Sequence, residues 1–366
     1  MSLIAASAPH NSDMDAFEKA AEWQLEASNA ITLVRETYPS DYAAGWFSGT
    51  AVNVAFASEV PAGANDILAA AGYPYAVIEN FGASESEIIS VGDRVHAEAI
   101  ELAGPGVEVA SGPIIPDRVF EITIAGEPQN GRGDLADPAA IASEIVARVG
   151  AESLRGFGVA VHLSKPEDLG DAGWGQAGGT AINATDGQPS CTSGFVVTAA
   201  VGSDLGVITA GHCSNNLQQI SPNGNFLFNF RAEHLGASGD MQWMRSPVMM
   251  DAWFHYDHGL GRPVTGKNAV YVGSSICVYG RNGGRKCGNV DAVNQTLTTS
   301  SGTAGGLART TGTAVQQGDS GGPVYLNTTA LGVIKGFGAF NDFFTPIEPI
   351  LSRFQLQLCL DPPGCQ

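Results

Sequence analysis

The chain has 366 residues, 44% of them hydrophobic, with 37 acidic against 18 basic side chains and a formal net charge of −19. That length exceeds one ordinary core and predicts two or three folded units. The charge excludes nucleic acid as a partner, because no basic stripe exists to displace counterions from phosphates. No apolar run reaches the ~18 residues of a membrane-spanning helix, so no membrane partner is expected.

The charge is uneven: residues 1–175 carry 26 acidic and 8 basic side chains, and residues 176–366 carry 11 and 10, which predicts two units with different tasks. Leu3 to Ala8 reads as the remnant of a signal peptide or as an ordinary terminus. Met14, Phe17, Ala21 and Leu25 recur at helical spacing, with Ser12 and Asp13 available as caps. Gly49 to Ser58 is strand-like and Asn65 to Ala71 helix-prone. A clearer unit runs from Asp117 to Ser164. There Phe120, Ile122 and Ile124 alternate, Asp137-Pro138 caps a helix striped by Ile141, Ile145 and Val149, Gly150 stops it, and Phe157, Val159 and Val161 alternate again. This strand–helix–strand pattern buries one sheet face.

Lys165 to Gly179 is polar, glycine-rich and aperiodic, hence a linker. Beyond it helical patterning is nearly absent. Short β-prone runs follow at Gly194 to Thr198, Gly206 to Thr209, Val270 to Val272, Pro323 to Leu326 and Ala330 to Phe337, separated by turns. Many short strands with glycine-rich turns predict an antiparallel barrel or sandwich.

All six cysteines (Cys191, Cys213, Cys277, Cys287, Cys359, Cys365) lie in this second unit. They allow fifteen pairings; the sequential one, 191–213, 277–287 and 359–365, is the simplest. No CxxC or HExxH spacing favours a metal, so neither metal nor other cofactor is expected. Disulfides predict an oxidising, extracellular setting.

Two strings carry chemistry. Gly318-Asp319-Ser320-Gly321-Gly322-Pro323 sets a serine among glycines, and Thr209-Ala210-Gly211-His212-Cys213 supplies a histidine at the end of an apolar run. A serine hydroxyl needs a positioned base to become a nucleophile, and that base needs an acid to fix its tautomer. Asp240, in Gly239-Asp240-Met241-Gln242-Trp243, is the best candidate, with Asp251 and Asp257 as alternatives. The remaining histidines (His10, His96, His162, His234, His255, His258) read as surface or structural.

The order His212, Asp240, Ser320 and these strings resemble the chymotrypsin-fold serine endopeptidases. Gly178-Gly179-Thr180-Ala181-Ile182, Cys191-Thr192-Ser193-Gly194-Phe195, Cys277-Val278-Tyr279-Gly280-Arg281 and Cys287-Gly288 narrow the likeness to the streptogrisin and α-lytic protease family. The resemblance implies two six-stranded antiparallel β-barrels over residues 178–366. His212 and Asp240 would come from the first, Ser320 from the second, and the N–H groups of Gly318 and Ser320 would form the oxyanion hole. It further implies that residues 1–165 are an α+β pro-region, a folding assistant and intramolecular inhibitor, with 117–164 resembling its sheet-and-helix part. Residues 166–177 would be the processing linker, cut around Asp171 to Gly178; a permanently attached accessory domain is the rival view. The expected product is a secreted, monomeric endopeptidase acting on polypeptides through an acyl-enzyme. The alternative is a blocked, protease-like binding protein.

Departures from the family leave expectations open. Ala314 stands where a cysteine bracketing the specificity pocket is expected, and Lys335-Gly336-Phe337 replaces the family's Ser-Gly-Gly. Either Phe337 fills the pocket, favouring small residues before the cut, or its ring turns into the core. Val278 occupies the place of an arginine that would partner Asp319, for which Arg281 or a new amino terminus would substitute. Arg132-Gly133-Asp134, the sequons at Asn183, Asn294 and Asn327, and the glycines of Gly280 to Gly288 carry no specific signal.

Overall fold

Alternating apolar side chains and capped helices organise the first unit of the computed structural model, which describes residues 12–105, 107–126, 137–164, 170–171, 179–188, 190–202, 204–219, 225–338, 341–362 and 365. Leu3 to Ala8, His10, Arg132-Gly133-Asp134 and most of the 166–177 linker lie outside the described residues. Helices α1 (Ser12–Ala21) and α2 (Trp23–Thr37) precede strands β1 (Tyr42–Ser48) and β2 (Ala51–Phe56), helix α3 (Ala64–Ala70) and strand β3 (Tyr75–Ile78). Helix α4 (Glu85–Ala103), strands β4 (Glu108–Ile114) and β5 (Val119–Ala125), helix α5 (Pro138–Val149) and strand β6 (Gly158–Ser164) follow.

As the periodicity predicts, β5, α5 and β6 form a unit with parallel strands, and β4 pairs antiparallel with β5. The Asp137 carboxylate accepts from the Ala139 N–H at 3.0 Å, Pro138 opens α5, and Gly150 ends it at φ 85. Phe120, Ile122 and Ile124 are fully buried in one core with Ile141 and Ile145. Helix α4, 19 residues long, is not among the predicted elements. A reciprocal capping box between Ser84 and Glu87 starts it, and Ile88, Val91, Val95 and Leu102 bury its inner face.

The second unit is almost all strand. After β7 (Gly170–Asp171) come β8 (Ala181–Ala184), β9 (Cys191–Thr192), β10 (Val196–Ala199), β11 (Leu205–Thr209) and β12 (Leu217–Gln219). Next are β13 (Phe226–Leu227), β14 (Asn229–Gly236), β15 (Gly239–Arg245), β16 (Trp253–Asp257), β17 (Leu260–Pro263) and β18 (Gly266–Lys267). The chain closes with β19 (Ser275–Gly280), β20 (Gly284–Thr299), β21 (Gly302–Thr311), β22 (Pro323–Leu326), β23 (Thr329–Phe337), β24 (Asp342–Pro346), helix α6 (Ile347–Phe354) and β25 (Leu356–Leu358).

Strands β19-β22-β23-β24-β21-β20 run antiparallel, and pairing of β19 with β20 closes them into a six-stranded barrel. The preceding half forms two antiparallel sheets, β14-β15-β11-β10-β25 and β13-β12-β8-β9, the last strand of the first being supplied by the C-terminus after α6. Val270 to Val272 does not form the predicted strand. Its backbone serves the first unit instead: the Val272 carbonyl accepts from the Phe47 N–H at 2.7 Å. The cysteines pair sequentially, 191–213, 277–287 and 359–365. No helix among the described residues is long and apolar enough to cross a membrane.

The two units share surfaces that sequence periodicity does not separate. The α1 stripe docks on the second unit: Ala21 joins the core of the closed barrel, and Phe17 packs against the neighbouring cluster. Arg285 of β20, buried, pairs with Asp15 at 2.8 Å and with buried Glu18 at 2.9 Å. Strand β4 extends the barrel sheet by pairing with β20, Thr296 to Thr298 opposite Val109 to Ser111. At that seam His96 of α4 lies 2.7 Å from the Ser111 hydroxyl and 3.0 Å from that of Thr298; burial lowers its pKa to about 4.

Candidate active site

Each element entering the site is held by a close backbone approach. Strand β11 is followed by Ala210-Gly211, where a Cβ on Gly211 would lie 2.6 Å from the His234 carbonyl and 2.8 Å from Asp240 Oδ1. Only glycine brings His212 so close to β14 and β15, and the Cys191–Cys213 bond ties that turn to β9. Asp240, second residue of β15, is fully buried, and its N–H donates to the Thr345 hydroxyl at 3.0 Å. Ser320 sits in the loop between β21 and β22. Gly318 and Gly321 there have φ 96 and 80, and a Cβ on Gly321 would lie 1.9 Å from Thr209 Oγ1.

These turns bring the three predicted side chains into one line. His212 Nδ1 lies 2.6 Å from Asp240 Oδ2, and Nε2 lies 2.8 Å from Ser320 Oγ. The His212 main-chain N–H donates to Asp240 Oδ1 at 2.9 Å, fixing the carboxylate from its other side. Burial pushes the Asp240 carboxyl up, but the neighbouring His212 and Lys335 charges and their hydrogen bonds hold it well below the usual carboxylate range. A carboxylate on Nδ1 selects the tautomer whose Nε2 accepts the serine proton. Among the described residues, no main-chain acceptor takes the N–H of Gly318 or Ser320. Asp251 and Asp257 make no hydrogen bond to His212.

Thr192 is a site residue that the sequence reading passed over. Its N–H donates to the Ser320 carbonyl at 2.9 Å and its hydroxyl to the Gly318 carbonyl at 2.7 Å, clamping the Ser320 loop to β9. The only signal is its place beside Cys191. Asp319 is held by main-chain N–H groups of Asn282 and Gln316 at 2.8 Å and of Gly283 at 3.1 Å; burial nevertheless raises its pKa. Arg281 forms no ion pair with it and points to the Cys191 carbonyl, 3.4 Å away.

The segment at the expected specificity pocket behaves in three ways. Lys335 is fully buried, with Nζ 2.8 Å from Asp240 Oδ2. Gly336 and Phe337 pair antiparallel with Asp171 and Gly170 of β7, a segment of the linker. The Phe337 ring is half-buried against the cluster containing Val315, Ile334 and Phe344. Ala314 adopts φ 42, uncommon for a residue with a Cβ. Ser320 is fully buried in the intact chain, and the His212 side chain is 5% exposed.

Behind Ala314, the buried Asp342 carboxylate accepts from the Thr313 hydroxyl and from the Val315 N–H at 3.2 Å. Burial raises its pKa from an ordinary 3.8 to about 6 against those hydrogen bonds. The folded form therefore holds the proton more tightly than the unfolded chain, and stability present near pH 4 is lost as pH rises through about 6. Asp342→Asn is expected to stabilise the protein by about 1–3 kcal/mol at pH 8 and by almost nothing at pH 4. Urea melts at the two pH values in a Ser320→Ala background check this; equal effects at both would refute the carboxylate's role.

The one cluster with metal-ligand spacing among the described residues, Glu18 with Cys277 and Cys287, is a disulfide beside a carboxylate already paired to arginine. No protein-family model matches the chain. Among curated proteins it is 30% identical over 222 residues to Streptogrisin-C of Streptomyces griseus, covering 56% of this chain and 45% of that protein. It is 31% identical over 165 residues to Serine protease 2 of Streptomyces fradiae, covering 44% of this chain and 93% of that protein. The chain thus spans about half the length of Streptogrisin-C. Among solved structures, Thermobifida fusca Protease A is 33% identical with a TM-score of 0.43, over 50% of this chain and 97% of that one.

Proposed function

The chain belongs to the streptogrisin-type bacterial serine proteases of the chymotrypsin fold, and from that premise we propose that it is a secreted, monomeric endopeptidase made as a latent precursor. The observation that carries this reading is the line of contacts from Asp240 through His212 to Ser320. His212 Nε2 takes the Ser320 proton as Oγ attacks the scissile carbonyl. The N–H groups of Gly318 and Ser320 receive the oxyanion, a single such donor being worth about 2.7–4 kcal/mol. His212 then protonates the departing amine, and water admitted to the acyl-enzyme is activated by the same nitrogen. The three disulfides support an extracellular destination.

Latency is supported by two features of the intact chain. Residues 170–171 occupy the β23 edge at Gly336 and Phe337, where a substrate backbone would add as a strand, and Ser320 is buried. Residues 1–165 are the inhibitory, folding-assisting unit in this reading, 166–177 the processing segment, and 178–366 the catalytic unit. The buried Lys335 side chain reaches under the site toward Asp240, which weighs against the blocked, non-catalytic alternative.

A time course of intact mass and N-terminal sequence tests the proposal. Wild-type protein is expected to yield a fragment of about 190 residues beginning within or just after the linker, while Ser320→Ala stays whole. Identical cleavage of both proteins would assign processing to another protease. Failure of the cleaved wild type to take a fluorophosphonate would overturn the peptidase reading itself.

A further inference from the structure

Lys335 is among the largest fully buried side chains of the molecule. Its Nζ lies 2.8 Å from Asp240 Oδ2, 3.4 Å from Ser301 Oγ and 3.4 Å from His212 Nδ1. In the tautomer whose Nε2 accepts from Ser320, Nδ1 carries a proton, so Nδ1 and the ammonium are both donors. They converge on one oxygen, Oδ2, because Oδ1 is taken by the His212 main-chain N–H. Once the imidazole accepts the serine proton, a single buried carboxylate faces two cations. A serine at this position, as in the proteases this chain resembles, would add a donor without a charge.

We infer that Lys335 is a positioning residue for the peptidase reaction: it locks the Asp240 carboxylate in place and, by competing with the imidazolium for Oδ2, extends the active range of the enzyme toward acid. The inference rests on the reading of His212, Asp240 and Ser320 as the reacting groups. Asp240 suits the role, since burial pushes its carboxyl up while His212 and Lys335 outweigh that effect and keep it ionised in acid. Among the described side chains, the other titratable or charged groups near the site are His234 of β14, Arg353 of α6, which acts on His234, and Asp319 beside Ser320. None of these lies within hydrogen-bond distance of both Asp240 and His212, as Lys335 does.

Two substitutions separate charge from hydrogen bonding. Lys335→Gln keeps an N–H donor near Oδ2, whereas Lys335→Met keeps the volume only. Their kcat and KM on a peptide anilide are measured from pH 4 to 9, with active sites counted by a fluorophosphonate. The acid limb of kcat/KM is expected to move up by about one pH unit or more in both variants, because each loses a cation beside the imidazolium. KM at the plateau should stay within about twofold, and kcat should fall further in Lys335→Met. An acid limb unmoved in both variants overturns the inference, since a merely structural lysine would leave the profile alone. If neither variant folds, the full-length Ser320→Ala protein labelled with nitrogen-15 lysine gives the answer by NMR. The Lys335 ammonium signal should shift when Asp240→Asn is added, and a lysine spectrum unchanged by that substitution refutes the contact. A shifted signal together with a wild type that shows no turnover would sink the peptidase reading and leave the Lys335 contact standing.

Discussion

Ser320→Ala, His212→Ala and the double variant are each expected to lower kcat by about 10⁶, with no further loss when the two changes are combined. The reason is geometric. In the proposed mechanism Oγ, 2.8 Å from Nε2, becomes a nucleophile only as the imidazole removes its proton, so loss of either partner would abolish the same step. The proposed oxyanion site and substrate binding would survive, about 10³–10⁴ over water. The nearby Lys335 carbonyl, 3.3 Å from Oγ, accepts a hydrogen bond but is no base, so it does not rescue His212→Ala. The measurement is single-turnover hydrolysis of an activated peptide ester by processed enzyme, with Ser320→Ala cleaved at the linker by an added protease. Losses that multiply in the double variant would mean that the two residues serve separate steps.

The parts of this molecule that were legible in sequence are those where chemistry or periodicity is local. The strings around His212 and Ser320, the β5–α5–β6 unit and the β-rich second half follow from neighbouring residues. What was not legible depends on distant partners. Amphipathic spacing in α1 says that one face is buried, and nothing in it says that the cover is the closed barrel of the other unit. Val270 to Val272 has strand propensity, but its backbone is already committed to Phe47. Strand β7 spans two residues, too few to carry a pattern. Asp319 is satisfied by main-chain N–H groups, which no side-chain inventory reveals. Helix α4 is a different case: its capping box and apolar stripe are local features of the sequence. Lys335 is the hardest case, because a lysine in a strand reads as solvent-facing unless its counter-ion, Asp240 on β15, is known to lie beneath it.

Asp240→Asn is expected to lower kcat by about 10⁴ and also to destabilise the fold. The side chain keeps its shape but exchanges one acceptor oxygen for a donor. If the amide oxygen faces Nδ1 and Lys335, the NH₂ group meets the His212 main-chain N–H, which now donates to Oδ1 at 2.9 Å. If the amide is flipped, its N–H groups oppose both Nδ1–H and the ammonium. Relief then comes from moving the imidazole proton to Nε2, and in that tautomer His212 no longer accepts from Ser320. The substitution also takes a negative charge from beside a buried ammonium, and removing one partner of a buried pair costs about 3–5 kcal/mol. Adding Lys335→Gln should recover much of that stability while leaving kcat low, since the tautomer problem remains. Denaturation midpoints in a Ser320→Ala background and kcat in the active series read the two effects separately. A kcat loss below about tenfold would mean that Asp240 does not orient the base. Stability unrecovered in the double variant would mean that the Lys335 contact is not what Asp240→Asn breaks.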